Sequence, residues 1–527
     1  MIASYYILSY FQLFGCGCYW QSRLLEIHHQ FSAFCPPTRR MSNDTMSSCA
    51  TEADPRELCL RINDSSPVGG LFEGDRSRLH PDSRLPWRIS PEPFWITPEQ
   101  HDVLLRLGPA LLAFNRAANL LYHQSLKGIQ PEFVHNYLDA GKPERILELS
   151  RLNRVKSHQP LVLRPDLIVT ADGVRVAELD SIPGGIGFTA QVTALYSDLG
   201  YDVVGGRDGL VAGFYDALEA SSKADDPLIC IVVSDESDAY REEMIWLADT
   251  LSALGKRVVC RHPRELHMDD ENVLVEHASG EREKVDVVYR FFELFDLPNI
   301  PKVDLLAYHA KKNSARITPP MKAFLEEKMW LALFHHPQLQ EFWDKELGRE
   351  HSELLQAIIP PSWIVDATPA PPHMVIPGLQ ISGQPVSNWD QLMHLSKKQR
   401  ELVLKPSGFH IDAQQSRGVT IGHDVPEEEW QQALQSALDG FAHGPSVLQE
   451  FHKGARLPFS YYDFEADEVK KMHGRVLLRP YYYVVGDEVR LAGSQCIACP
   501  ADKKILHGMT DAVLVPTAVR EPIKDAV

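Results

Sequence analysis

Four ionisable side chains lie on two neighbouring β-rich runs of the sequence, on either side of a short turn at residues 171–173. A hairpin with a three-residue loop places Arg164 opposite Asp180 and Asp166 opposite Glu178. Because side chains alternate between the two faces of a strand, all four share one face of that hairpin. The sequence therefore predicts a concentrated patch of one cation and three carboxylates.

Three carboxylates on one face require a compensating positive charge. Opposed residues of an antiparallel pair have Cβ atoms about 4.5–5.5 Å apart, and like charges at that distance destabilise the pair. Mg²⁺ accepts one or two carboxylates together with phosphate oxygens and water, which suits Asp166, Glu178 and Asp180. Arg164 offsets part of the charge or binds an anionic substrate in a bidentate manner. The alternative is a solvated sheet face that is held by a salt bridge.

The register of this hairpin carries further expectations. It places Ile168 opposite Val176 and Thr170 opposite Val174, and it turns the other, apolar face toward a core. Pro165 has no backbone N–H, so its strand is predicted to lie at a sheet edge or to contain a bulge.

A glycine-rich turn follows the second run directly. Residues 185–190 fit the pattern G-x-G-x-x-A of dinucleotide-binding folds, and a helix at 189–199 and a strand at 201–204 are predicted after it. Asp208 lies near the position of a ribose-binding acid. The first strand of such a fold is apolar on both faces, whereas this run carries Glu178. A nicotinamide-dependent oxidoreductase is therefore the alternative, and a turn that shapes the loop beside the metal site is favoured.

A second group of residues has the chemistry to bind phosphate. Lys405 ends a short apolar strand predicted at 402–405, and a segment with Ser407, Gly408 and Gly418 follows it. A lysine at a strand end can place its ammonium on phosphates while the N–H groups of a flexible loop surround them. The motif G-x-x-x-x-G-K-[ST] occurs nowhere in the sequence, so the P-loop class is excluded.

Three further residues complete the candidate nucleotide site. Lys328 lies in a predicted helical stretch at 321–336. Gln449 and Glu450 interrupt the apolar run of a predicted strand at 446–451, as a hinge that presents backbone groups to an adenine would do. Each also has a simpler explanation, as a lysine on a solvated helix or as an ordinary strand.

Together, these motifs resemble the circularly permuted ATP-grasp proteins related to glutathionylspermidine synthase. The matching motifs, in chain order, are R-x-D at 164–166, E-x-D at 178–180, E-K-x-x-x-A-L-x-x-x-P at 327–337, V-L-K-P at 403–406, S-R-G-V at 416–419 and V-L-Q-E at 447–450. The acids precede the lysine of the V-L-K-P motif, which is the order that circular permutation produces. The resemblance covers about residues 90–515.

The resemblance implies a metal site at the hairpin. Asp166, Glu178 and Asp180 would bind Mg²⁺, with Glu178 bridging two ions. Asp180 stands where the family usually has Asn, which keeps an oxygen ligand and adds a negative charge. Arg164 would contact an acyl phosphate or the tetrahedral species that follows it.

The resemblance also implies the nucleotide contacts and the reaction. Lys328 and Lys405 would hold the phosphates of ATP, and Gln449 and Glu450 would line the adenine pocket. The implied activity is that of an ATP- and Mg²⁺-dependent ligase, which joins a small-molecule or peptide carboxylate to an amine through an acyl phosphate. A protein that binds ATP without catalysing a reaction is an alternative from a different class.

The chain is predicted to have an α/β (α+β) fold that is ATP-grasp-like and circularly permuted. The predicted parts are an extension or disordered segment at 1–86, a helical lead-in at 87–160, a metal-binding hairpin with a parallel, pre-ATP-grasp-like α/β domain at 161–300, a helical segment and Pro-rich connector at 301–399, and an ATP-grasp nucleotide-binding lobe at 400–527. Thr97 and Gln100 predict a capping box at the start of the lead-in. The alternation of strand and helix over 228–260 predicts the parallel sheet.

Composition limits the other classes of function. The chain has 527 residues, with 53 Lys and Arg against 71 Asp and Glu and a formal net charge of −18. Nucleic-acid binding through the phosphate backbone needs a cationic surface, so it is disfavoured. Most of the nine cysteines lie near the N-terminus, and their scarcity elsewhere indicates a reducing compartment. Residues 1–20 are uncharged and largely apolar, whereas the folded body is expected to be cytoplasmic, without a membrane partner.

Two residue pairs have open interpretations. Cys496 and Cys499 form a lone C-x-x-C pattern, which is either a zinc or redox motif or two core thiols. Arg290 and Glu293 either face a substrate or form a structural ion pair. The sequence favours the core thiols and leaves the second pair undecided.

Overall fold

The computed structural model describes residues 54–66, 80–180, 182–368, 371, 374–410, 418–508 and 511–520. The apolar stretch at 1–20 and the cysteines at 16, 18, 35 and 49 lie outside the described residues. Within the described ranges, no helix is long and apolar enough to cross a membrane. The described residues group into one compact unit.

The regular elements of the described residues alternate between helices and short strands until the last third of the chain, where strands dominate. The α-helices are α1 (Pro55–Ser65), α2 (Pro98–Ser125), α3 (Phe133–Asp139), α4 (Glu144–Ser150), α5 (Ile186–Asp198), α6 (Gly209–Ala220), α7 (Arg241–Ala253), α8 (Val303–Lys312), α9 (Met329–Phe334), α10 (Gln340–Ile358), α11 (Asp390–Met393) and α12 (Glu427–Asp439). The strands are β1 (Phe94–Ile96), β2 (Val162–Thr170), β3 (Gly173–Asp180), β4 (Ile229–Val233), β5 (Val258–Arg261), β6 (His267–Met268), β7 (Val273–Glu276), β8 (Arg282–Lys284), β9 (Val287–Phe291), β10 (Arg316–Thr318), β11 (Ser362–Val365), β12 (Gln380–Ile381), β13 (Gln384–Pro385), β14 (Leu402–Lys405), β15 (Thr420–Ile421), β16 (Ser446–Glu450), β17 (Leu457–Asp463), β18 (Glu468–Val485), β19 (Glu488–Pro500) and β20 (Val513–Val519).

The first helix corrects the prediction that residues 1–86 are an extension or disordered. Asp54 caps α1 by accepting a hydrogen bond at 3.1 Å from a backbone N–H two residues later. Pro55 occupies the first turn, where its missing N–H costs nothing. Cys59 and Ile62 are buried in the core. The prediction is wrong for this segment because it rests on the overall Ser- and Pro-rich composition, whereas one short helix within it has an apolar side.

The largest sheet has seven strands and contains the predicted hairpin. Its order is β1–β20–β19–β18–β2–β3, and β17 pairs with β18. β18 spans 18 residues and β19 spans 13, so this pair forms the longest ladder. Helix α2 packs on the sheet so closely that a Cβ atom on Gly108 would lie 2.7 Å from the ring of Tyr482. The predicted helical lead-in thus supports the strands next to the hairpin.

Two local predictions from the sequence are confirmed. At the start of α2, Thr97 Oγ1 accepts from the N–H of Gln100 at 3.3 Å, and Gln100 Oε1 accepts from the N–H of Thr97 at 2.9 Å, which is the capping box. Strands β10, β9, β4 and β5 form a sheet in that order with parallel pairing throughout. Helix α7 connects β4 to β5, as the predicted alternation requires.

A separate four-stranded antiparallel sheet has the order β11–β16–β14–β15. It contains the strands predicted at 402–405 and 446–451, which pair with Lys405 opposite Val447. Trp430 of α12 is fully buried in the core of this part of the chain. The sheet therefore presents Lys405 at the end of β14.

Two predicted elements differ from expectation. The helical stretch at 321–336 consists of a 3₁₀ turn at Ala323–Glu326 and the short helix α9, so Lys328 caps a six-residue helix. Residues 201–204 make one isolated bridge instead of a strand. Every residue of α9 is buried, so the helix is packed on all sides. Without an exposed polar face, the spacing of apolar residues does not indicate where the helix begins and ends.

Candidate active site

The hairpin formed by β2 and β3, called the carboxylate hairpin below, has the predicted pairing at its base. Arg164 lies opposite Asp180, and Asp166 lies opposite Glu178. These two pairings are confirmed, and they place the four side chains on one face of the hairpin.

A β-bulge at Ala177 changes the register toward the tip of the carboxylate hairpin. The predicted pairings Ile168–Val176 and Thr170–Val174 are wrong, and the structure has Ile168–Arg175 and Thr170–Gly173. An extra residue on one strand of a bulge is left out of the ladder. The carbonyl of Ala177 accepts a hydrogen bond from the ammonium of Lys405 at 2.7 Å. The irregular register therefore supplies an acceptor to another sheet.

β2 is an internal strand, so the predicted sheet edge is wrong, and the bulge of the hairpin lies on β3 instead of on this strand. β18 pairs with β2 at Leu163 and again at Leu167, and the ladder is interrupted between them. The interruption coincides with Pro165, which has no N–H to donate. The proline is thus tolerated because the ladder is absent at its position.

Two arginines hold Asp166. Arg164 Nε donates to Asp166 Oδ1 at 2.9 Å, and Arg479 on β18 donates through Nε and Nη2 to Asp166 Oδ2 at 3.1 and 2.9 Å. Burial by itself would raise the pKa of Asp166, but the two guanidinium groups outweigh burial and hold the pKa below its ordinary value. Both oxygens of this carboxylate are engaged within the protein.

Arg479 is a site residue that the sequence analysis misses. Its side chain is 22 % exposed and reaches the face of the sheet that carries Asp166. Two residues further along β18, the hydroxyl of Tyr481 donates to the carbonyl of Gly184 at 2.8 Å. Polar side chains at alternate positions of a long apolar strand are the signal that identifies such a face.

Arg164 and Asp180 link the carboxylate hairpin to the glycine-rich turn. Arg164 donates through Nη2 to Asp180 Oδ2 and through Nη1 to the carbonyl of Gly184, both at 2.8 Å. Burial raises the pKa of Asp180, and repulsion from Glu178 and Asp166 adds to it, so Arg164 does not restore the ordinary value. Asp180 is therefore a carboxylate whose surroundings hold too little positive charge.

Lys328 meets the second carboxylate of β3. Its ammonium lies 2.8 Å from Glu178 Oε1. Burial would lower the pKa of Lys328, but the charge and hydrogen bond of Glu178, together with the charges of Glu293 and Glu327, outweigh burial and raise it above the ordinary value. The predicted phosphate lysine is thus placed at the predicted metal site, although it caps α9 instead of lying within a long helix.

Lys405 reaches the carboxylate hairpin from the other sheet. Besides the carbonyl of Ala177, its ammonium donates to Gln449 Oε1 at 2.7 Å. Burial lowers the pKa of Lys405 to about 8. Neither of these two acceptors carries a charge, so the buried ammonium would be stabilised by an anion such as a phosphate.

Gln449 and Glu450 occupy different environments. The side chain of Gln449 is buried, and its Nε2 donates to Ser362 Oγ at 3.2 Å while its oxygen holds Lys405. Glu450 is exposed, and its N–H donates to the carbonyl of Pro361 at 2.9 Å. The contact of Gln449 with Lys405 shows that this side chain positions the lysine. The role of both residues at an adenine remains a prediction.

The loop after Lys405 contacts a carboxylate. Ser407 Oγ lies 2.8 and 2.9 Å from the two oxygens of Glu327, and the N–H of Gly408 donates to Glu327 Oε2 at 3.0 Å. Gly418 lies two residues before β15, and residues 411–417 are outside the described ranges. The phosphate contacts of Ser407, Gly408 and Gly418 remain predictions.

The three hairpin carboxylates differ in their capacity to bind a metal ion. The side chain of Asp166 is 9 % exposed, whereas those of Asp180 and Glu178 are 30 % and 43 % exposed. Among the residues that the structure describes, no three His, Cys, Asp or Glu side chains form a ready-made metal site. Mg²⁺ uses one or two protein carboxylates, so the hard oxygens of Glu178 and Asp180 fit this ion. The raised pKa of Asp180 also indicates that a cation would stabilise the group.

A carboxylate of the protein closes the glycine-rich turn. Glu243 on α7 is buried and accepts from the N–H groups of Gly185 at 2.6 Å and Phe188 at 3.0 Å. N–H groups at such a helix start bind the phosphates of a dinucleotide in the fold that the motif suggested. A Cβ atom on Gly187 would lie 2.4 Å from the carbonyl oxygen of Glu243, which explains the glycine. The turn joins α5 to α7 and leaves those two N–H groups unavailable to a phosphate.

The structure shows the surroundings of the two residue pairs that the sequence leaves open, Arg290 with Glu293 and Cys496 with Cys499. Arg290 is fully buried, and its Nη2 forms an ion pair at 2.6 Å with Glu326. The partner of Arg290 in this ion pair thus lies on the 3₁₀ turn. Cys496 and Cys499 are fully buried three positions apart on β19, which places their side chains on opposite faces. Opposite faces suit two core thiols and do not suit shared ligands of one zinc ion.

The sequence matches no protein-family model and no curated protein. Among solved structures, the chain is similar to a glutathione synthetase-like effector from Globodera pallida, with 12 % sequence identity and a TM-score of 0.50. The match covers 91 % of this chain and 100 % of that chain. At this identity the likeness establishes the fold, which is mixed α/β as predicted. The circular permutation remains a prediction.

Two more distant structures are similar to parts of the chain. A protein from Methylobacillus flagellatus KT that is named as a gamma-glutamylcysteine synthetase has 10 % identity and a TM-score of 0.38, and the match covers 73 % of this chain and 87 % of that chain. A D-cycloserine synthetase has 12 % identity and a TM-score of 0.27, with 56 % and 92 % covered. These likenesses are too weak to carry an argument about this chain.

Proposed function

We propose that the chain is an ATP-dependent ligase that joins a carboxylate to an amine through an acyl phosphate. One observation carries the proposal: the Lys405 ammonium, from a separate sheet, contacts the carboxylate hairpin at the residue before Glu178. Cations and carboxylates from distant parts of the chain thus converge on one face. Such a convergence suits the phosphates of a nucleotide and the divalent ion that accompanies them.

The residues of this face would divide the work. Lys328 and Lys405 would bind phosphate oxygens, and Glu178 and Asp180 would hold Mg²⁺. When bound, Mg²⁺ would neutralise charge on the phosphoryl group that activates the substrate carboxylate. Arg164 would stabilise the oxyanion formed when the amine attacks the acyl phosphate.

The fold supports this proposal. The glutathione synthetase-like effector shares the fold over nearly the whole chain, and its name relates it to an enzyme that makes a peptide bond. Fold likeness at low identity does not carry an activity with it, so the support comes from the agreement between fold and site.

A second candidate is a protein that binds ATP without catalysis. It is favoured by the engagement of both Asp166 oxygens with Arg164 and Arg479, because a third metal ligand would require these ion pairs to open. Nicotinamide chemistry has less support, since Glu243 occupies the donors of the glycine-rich turn.

Thermal unfolding followed by an assay of phosphate release tests the proposal. We expect ATP with Mg²⁺ to raise the Tm and NAD to leave it unchanged. Phosphate release should then require one acid and one amine from a pool of small compounds. Stabilisation by ATP without phosphate release from any pool would favour the non-catalytic candidate, and stabilisation by NAD alone would refute both.

A further inference from the structure

A buried carboxylate, Glu327, connects the two lysine-bearing segments of the candidate site. Glu327 directly precedes Lys328, and it contacts the loop that follows Lys405. We infer that Glu327 is a positioning residue that sets the separation of the two lysines, acting through Ser407 and Gly408. The inference rests on the proposed function, because it gives Glu327 a part in holding the phosphates of ATP.

Lys142 completes this arrangement, and the four residues Lys142, Glu327, Ser407 and Gly408 are called the Glu327 clasp. Lys142 lies between α3 and α4 and forms an ion pair with Glu327. The side chains of both partners are fully buried. The Lys142 ammonium also lies 5.1 Å from the ring centroid of Phe409, the next residue of the loop. The clasp thus joins the predicted helical lead-in, the α9 segment and the β14 loop.

Backbone contact reinforces the clasp. A Cβ atom on Gly408 would lie 2.0 Å from the carbonyl oxygen of Glu326. A side chain at 408 would therefore force the loop away from the segment that carries Lys328. The two segments are held in register both by hydrogen bonds and by direct backbone approach.

Stability alone is a weak reason for this ion pair. Removing two charges from water is costly, and apolar residues of similar volume often replace a buried pair without loss of stability. Hydrogen bonds add direction, because they weaken steeply when distance or angle departs from the optimum. The Glu327 carboxylate makes such bonds to Lys142, which lies 185 positions away in the sequence, and to Ser407, which lies 80 positions away. It is therefore suited to fix the relative position of distant segments.

The position that the clasp fixes is that of the two ammonium groups. Lys328 contacts Glu178, and Lys405 contacts the carbonyl of Ala177, so adjacent residues of β3 receive them. In catalysis, a displacement of about 1 Å can cost about 10²-fold in rate. A shift between the segments would change the spacing of two cations that must bind one triphosphate.

A double-mutant cycle tests the inference, with isothermal titration of Mg²⁺ and the non-hydrolysable analogue AMP-PNP as the measurement. Ser407→Ala removes the hydroxyl and keeps both buried charges paired, so the protein should remain folded. We expect affinity to fall about fivefold to tenfold, which is less than the loss of a hydrogen bond to the charged ligand itself, because Ser407 acts on the phosphates only through the lysines. In a Lys405→Met background, Ser407→Ala should lower the AMP-PNP affinity less than about twofold, because the effects of coupled contacts are not additive. Ser407→Thr, which keeps the hydroxyl, should restore the affinity.

A matched control separates positioning from stability. Ser352 Oγ donates to Asp344 Oδ1 at 2.8 Å within α10, so Ser352→Ala removes the same kind of bond elsewhere. We expect it to lower the Tm and leave AMP-PNP affinity unchanged. Equal affinities of Ser407→Ala and wild type, or an equal loss in the Lys405→Met background, would overturn the inference and leave the proposed function standing. A wild-type protein that binds no AMP-PNP would refute both.

Discussion

Two regions of the molecule have groups that attract anions, and they differ in the partners that these groups already hold. At the glycine-rich turn, the N–H groups of Gly185 and Phe188 are bound to Glu243, a carboxylate of the chain itself. At the end of β14, Lys405 is bound only to neutral oxygens in its two hydrogen bonds. A donor that already holds an internal carboxylate gains little from a phosphate, whereas a buried ammonium on neutral acceptors gains much. A motif therefore predicts a binding site only when its donors remain available.

The largest expected effect comes from Glu178→Gln, which changes the region where Lys328 and Lys405 meet β3 and leaves the glycine-rich turn intact. We expect ATP turnover, measured as ADP release, to fall about 10²–10³-fold, because one electrostatic group of the reacting centre is lost. The side chain is 43 % exposed, so the Tm should be little affected. Asp172→Asn, at the exposed tip of the same hairpin, is the control and should keep wild-type turnover. Wild-type ADP release from Glu178→Gln would remove the metal-site proposal.

The next largest effect is expected from Lys405→Met, which removes one of the two ammonium groups of the same region. We expect the affinity for ATP to fall about tenfold to a hundredfold, the range for a lost hydrogen bond to a charged group. Cys496→Ala, in the core of the large sheet, should change the same titration less than about twofold. Coincident titration curves for the two variants would contradict the phosphate role of Lys405.

The pH dependence of ATP binding should show a smaller effect. Lys405 has a pKa of about 8, and only its charged form attracts phosphate. The affinity should therefore fall about tenfold between pH 7 and pH 9, as the charged fraction falls. In Lys405→Met this decline should be absent. A wild-type affinity that stays constant over this interval would show that the charge of Lys405 does not contribute.

The smallest effect is expected at the turn and concerns stability. Burial raises the pKa of Glu243 from 4.5 to about 7, so the folded state binds a proton that the unfolded state has lost between these values. This contribution to stability is present at low pH and disappears as the pH rises through 7. The Tm of wild type minus that of Glu243→Gln should therefore decrease by a few °C from pH 5 to pH 8. A constant difference would show that Glu243 is charged throughout.

Features that depend on neighbouring residues could be predicted from the sequence. The capping box of Thr97 and Gln100 spans one helical turn, and the pairing at the base of the carboxylate hairpin depends on two strands joined by a short turn. In both cases local geometry determines the outcome. The parallel pairing of β4 with β5 followed from the alternation of strand and helix over 228–260, which is also a local pattern.

Features that depend on distant partners could not be predicted. The bulge at Ala177 presents its carbonyl to Lys405, which lies 228 residues away in the sequence. Arg479 reaches Asp166 from 313 residues away, through the pairing of β18 with β2. Glu243 gave one usable signal, because it falls in the same helical stripe as the buried Leu247 and Leu251, where an acid is out of place. That signal indicates burial and does not reveal the bonded turn.

The bulge in the carboxylate hairpin has a consequence for how nucleotide affinity is to be understood. The bulge leaves Ala177 out of the ladder, and its carbonyl oxygen holds the Lys405 ammonium toward β3 before any ligand binds. An ammonium has three N–H donors, so the hydrogen bonds to Ala177 and Gln449 leave one donor for a phosphate, and the lysine is already oriented when the ligand binds. Deleting Ala177 would remove this oxygen and leave Gln449 as the acceptor that holds the lysine.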